Sequence, residues 1–103
     1  MNELEYIVTH VCEELKVTKL VIFSSNHRNK DVTFAKWVSI EMARNFNVAS
    51  TKDIKNYFSY SNETRFIYTI KHKIKEHLVL HPEKERIYAS IKSHLGVRFS
   101  HKK

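Results

Sequence analysis

Leu4, Ile7, Val8, Val11, Cys12 and Leu15 are separated by three, one, three, one and three residues, the stripe of an amphipathic helix from about Glu3 to Lys16. Val17 to Phe23 carries the short apolar run Leu20, Val21, Ile22 and Phe23; a strand fits it, but Thr18 can cap a helix, and a short helix is the expectation. Ser24 to Lys30 has no apolar residue and reads as a solvated loop. Asp31 then suits the start of a long helix, with Val32, Ala35, Val38, Met42 and Phe46 at helical spacing. Asn45 and the stretch 47–50 break the pattern, and Ser50 or Thr51 can cap the next helix.

Thr51, Ile54, Tyr57 and Phe58 share one side of a two-turn helix, and Ile67, Ile70, Ile74 and Leu78 share one side of a longer one. Between them lie Ser59, Tyr60, Ser61 and Asn62, polar turn residues with candidate N-cap side chains just before Glu63. This is the pattern of a helix-turn-helix. Pro82 separates it from a last helix carrying Ile87, Ile91 and Leu95, for which Gly96 is a fitting C-terminal stop. The expected fold is therefore all-α, about six helices around a central helix-turn-helix. It forms a single helical domain over residues 1–96, with a basic tail at 97–103 containing Arg98, His101, Lys102 and Lys103.

Composition narrows the chemistry. One Gly and one Pro in 103 residues argue against a turn-rich all-β protein. They also leave no glycine-rich loop for a phosphate or dinucleotide, which excludes an ATPase or a nucleotide-cofactor enzyme, so no cofactor is expected. A net charge of +7 favours a polyanionic partner. Cys12 falls on an apolar helix face, as a small buried hydrophobe would. No secretory signal or membrane-length apolar run is evident, and a cytoplasmic, membrane-free protein is the expectation.

In a helix-turn-helix the second helix is anchored by its apolar stripe, which leaves Glu63, Thr64, Arg65, Tyr68 and Lys71 to enter a DNA major groove. A guanidinium can pair with guanine O6 and N7, so Arg65 is the leading base reader. Asn62 suits adenine or an N-cap, and Glu63 suits cytosine N4 or the helix dipole. Lys71, His72, Lys73 and Lys75 either reach phosphates or form a wet face. His27, Arg28 and Lys30 make the loop a second DNA-contacting candidate. Trp37, Tyr57, Tyr60 and Phe66 fit packing better than a single-strand platform, for which no sheet is evident. His77 and His81 have the i, i+4 spacing of a metal pair but no completing ligand, and no nucleophile constellation stands out; neither a metal site nor an enzyme is expected.

The segments IVTHVCEELKVT, SSNHRNKDV, AKWVSIEMARNF, DIKNYF and IYTIKHKI, spanning about Ile7 to Leu95, occur in an order that resembles the C-terminal DNA-binding domain of the bacterial replication initiator DnaA and, more loosely, the tryptophan repressor. The resemblance implies a stand-alone double-stranded DNA-binding domain acting in replication or transcription regulation. It implies minor-groove insertion by Arg28, with His27 or Lys30 beside it, phosphate contacts from Thr51 and Lys52, and major-groove readout by Asn62, Glu63, Thr64 and Arg65. The family's Arg-Asp-His-Thr-Thr signature after a glycine-rich turn is replaced here by Asn62, Glu63, Thr64, Arg65 and Phe66, so base preference does not carry over. Two alternatives stand beside it: a protein-interaction adaptor using the Trp37 and Tyr60 region, and sequence-independent DNA binding.

Overall fold

A computed structural model of the chain describes residues 3–23, 30–58 and 64–99. Among them all regular structure is helical: α1 (Glu3–Leu15), a 3-10 helix (Lys19–Phe23), α2 (Lys30–Asn45), α3 (Thr51–Tyr57), α4 (Thr64–Leu80) and α5 (Lys84–Phe99). The expected short helix after α1 is thus the 3-10 segment, leaving five α-helices. No helix among the described residues is long and apolar enough to cross a membrane.

The turns are built almost without glycine. Lys16 and Asn47 take positive φ, 58° and 53°. Behind them Val17 N–H donates to Cys12 O at 2.9 Å and Val48 N–H to Ala43 O at 3.0 Å, closing α1 and α2 with the left-handed caps that glycine usually makes. Ser50 caps α3: its backbone is extended and its Oγ accepts from the Asp53 N–H at 3.1 Å. Asp53 also places a carboxylate at the positive end of that helix.

α2 is the spine. Its sequence stripe predicts one buried face, on which Ser39 and Ala43 also fall, but Phe34, Ile40 and Glu41 are buried off that face, because α1, α4 and α5 cover it from different sides. Ser39 meets the cost of burial by donating to the Ala35 carbonyl at 2.8 Å. The ring pairs set the directions. Phe34 meets His77 and Trp37 meets Lys73, so α4 runs antiparallel to α2. Tyr6 meets Phe99 and His10 meets His94, so α5 runs antiparallel to α1.

Gly96 does not end the last helix. α5 runs through it to Phe99, which is buried between Tyr6 and Phe46 and extends the Ile91, Leu95 stripe by one more turn. Arg98, expected in the tail from sequence, belongs to this helix and lies over the Tyr6 ring at 4.2 Å. Cys12 is buried, and burial pushes its thiol up to about 11, which keeps it protonated and inert.

Candidate nucleic-acid interface

Four of the sequence-predicted contacts have described side chains. Lys30 is exposed at the first position of α2, Thr51 is half-buried at the start of α3, and Lys52 and Lys71 are exposed on α3 and α4. Thr64, Arg65 and Tyr68 fall in the first turns of α4, but their side chains lie outside the described residues, as do His27, Arg28, Asn62 and Glu63 altogether.

The basic run on α4 is divided by the 100° step of the helix. Lys71 and Lys75 flank one side, sharing a shallow concavity with Glu41 and Tyr88. Lys73 flanks the other, beside Trp37 and Lys30. Exposed His72 lies on the outward face between these flanks. Lys30 and Lys71 therefore border a common face of α4 from opposite edges, instead of meeting. The antiparallel packing also fixes their ends: Lys30 lies by His77 and His81, whereas the first turn of α4 is roughly 20 Å away at 1.5 Å per residue.

On the Lys30 side, α2 and α4 enclose a cleft of about 400 Å³ with a largely carbon lining. Thr33 and Trp37 come from α2, and Lys73, Glu76 and His77 from α4. The sequence singles out Lys30, Trp37, Lys73, His77 and His81 separately but not the cleft they share, since its walls lie some forty positions apart in the chain. The His77 ring stacks on Phe34 at 4.3 Å and lies 4.5 Å from the His81 ring, and its buried Nε2 has no hydrogen-bond partner among the described residues. No group of three or more metal-ligating side chains occurs among the described residues. A second imidazole stack joins His10 to His94 at 4.1 Å across α1 and α5, with the Tyr6 hydroxyl hydrogen-bonded to His94 Nε2 at 3.0 Å.

Both stacks are expected to make the fold acid-sensitive. Burial, then the charges of Lys84 and His81, hold His77 below its ordinary value of 6.5, with Asp31 opposing. Burial, then His94, does the same for His10, opposed by Glu14 and Glu13. The unfolded chain therefore takes up protons first as pH drops below 6.5, and stability present above that value is lost on acidification through the lower folded-state values. Asp31 sits outside this window: the hydrogen bond from Lys84 holds its carboxyl below the usual 3.8. The thermal midpoint is expected to fall between about pH 7.5 and about pH 5.5, and less steeply in His77→Leu. A profile of equal slope in that variant counts against the assignment.

No protein-family model, curated protein or solved structure compared with the chain matches it.

Proposed function

We propose that the protein binds double-stranded DNA, with α3 and α4 acting as a helix-turn-helix of the DnaA C-terminal type and the basic segment before α2 as an arm. One observation carries the reading. Lys30, where the arm joins the body, and the first turn of α4 are roughly 20 Å apart along α4. That is about half of the ~34–36 Å helical repeat of DNA, the distance from a major groove to the next minor groove. In this reading, an arm leading into Lys30 and a turn leading into α4 engage neighbouring grooves of one duplex.

Exposed Lys52, Lys71, His72 and Lys75, in a chain of charge +7, supply the attraction to phosphate. In this reading the protein is a regulator of replication or transcription, not an enzyme, and uses no cofactor. The rival reading as a protein-binding adaptor is favoured by Leu80, which is 76% exposed and lines the cleft.

Fluorescence anisotropy with a random duplex, an initiator-box duplex and a selected-site pool, repeated across salt concentrations, tests these readings. Lys52→Gln and Lys71→Gln should each weaken binding to all sequences and flatten the salt slope by about 1. Arg65→Ala should relax sequence preference, and Arg28→Ala should weaken binding most at A·T-rich flanks. No binding at low salt favours the adaptor; steep but sequence-blind binding removes base readout.

A further inference from the structure

The cleft between the first half of α2 and the second half of α4 is more than the gap left by two crossing helices. At about 400 Å³ it lies in the ~300–1,000 Å³ range of small-ligand sites. Its wall includes the chain's single tryptophan, half-buried and packed against the core, with the Lys73 Nζ 5.8 Å from the ring centroid. Lys30 stands exposed at the rim, and the Glu76 carboxylate lines the same space.

The geometry points to a site for an unpaired nucleotide of a DNA strand: the base stacked on Trp37, its phosphate held by Lys30 and Lys73. An indole anchored by the core offers a rigid stacking surface, and every base has a π-face to match it. A base inside a duplex has both faces covered by its neighbours, so only an extruded or unpaired one can enter a concave site. Lys73 reaches the cleft on a flexible four-carbon stem, and in this assignment it gives up its place over the ring, together with its other interaction, for a phosphate as the base arrives. Glu76 adds an acceptor for the exocyclic amine of cytosine, adenine or guanine. This assignment rests on the DNA-binding reading, and it adds that the protein prefers duplexes carrying an unpaired base.

The test compares three probes with the full chain: a blunt duplex, the same duplex with one extra unpaired adenine, and the same duplex with an abasic residue at that point. Affinity is read by anisotropy of the labelled DNA, and occupancy of the cleft by emission of Trp37, the sole tryptophan. The bulged duplex should bind about tenfold more tightly than the other two and alone should quench Trp37. Trp37→Leu, with folding checked by circular dichroism, should erase the preference, and Lys73→Gln, which leaves the ring in place, should reduce it several-fold. Equal binding of all three duplexes with unmoved emission overturns the cleft assignment and leaves duplex binding intact. An unchanged preference in Lys73→Gln overturns it too, and failure of every duplex to bind overturns both readings.

Discussion

Replacing Phe34 with alanine should lower the unfolding free energy by about 3–5 kcal/mol, the usual cost of removing a fully buried ring from a core that does not collapse around the hole. Three helices meet at this side chain. It belongs to α2, its face stacks on His77 of α4 at 4.3 Å, and the Lys84 ammonium at the start of α5 lies 5.5 Å from its centroid. Truncation leaves His77, whose Nε2 already has no partner among the described residues, without its stacking surface. Single domains are typically stable by only about 5–15 kcal/mol, so the variant should stand near the edge of unfolding. Urea denaturation followed by circular dichroism should show a lower midpoint with an unchanged slope. A loss below about 1 kcal/mol would mean that the seam between α2 and α4 is not packed as described.

Phe34 also shows where the sequence stops being legible. A helix that packs one face announces itself through its apolar period, which is why α1, with Leu4, Ile7, Val8, Val11 and Cys12 buried, is found nearly to the residue. α2 is covered from several sides, so its period is diluted: Val32, Ala35 and Val38 can be read from spacing, but Phe34 and Ile40 fall off the stripe. Gly96 misleads for a related reason. Glycine is a common helix terminator, yet Phe99 has a buried place between Tyr6 and Phe46, and docking it keeps the helix going. Conversely, Lys16 and Asn47 supply the left-handed caps in a chain whose single glycine is elsewhere; asparagine is a known substitute there, whereas lysine carries no local signature for it.

The candidate site divides along similar lines. That Lys71 and Lys73 occupy opposite flanks of α4 follows from a 100° step and can be worked out from sequence. That one flank faces Trp37 and the other Tyr88 cannot, since it depends on how α2 and α5 cross α4. Of the residues expected to read bases and the minor groove, His27, Arg28, Asn62 and Glu63 lie outside the described residues, and Thr64, Arg65 and Tyr68 are described in backbone only.

Tyr88→Phe should cost about 1.5–3 kcal/mol although it removes a single oxygen, because the phenol is a donor to a buried carboxylate. Glu41 stands in the middle of α2, only 8% exposed, and the Tyr88 hydroxyl on α5 donates to its Oε1. Burial, and then the bond to Glu41, raise the phenol well above its ordinary value of 10, so it stays protonated and able to donate across the working pH range. Phenylalanine preserves the ring and its packing but withdraws that donor, leaving the carboxylate to be solvated through the shallow opening between Lys71, Lys75 and Leu78. The double variant Glu41→Met with Tyr88→Phe separates this cause from simple loss of packing. Removing both polar partners should restore most of the stability, since an apolar pair of similar shape has no unmet hydrogen bond. The resulting double-mutant cycle should give a coupling of at least about 1 kcal/mol. If Tyr88→Phe unfolds within about 0.3 kcal/mol of the parent, or if the double variant is no more stable than the single one, the hydrogen bond is not what joins α2 to α5.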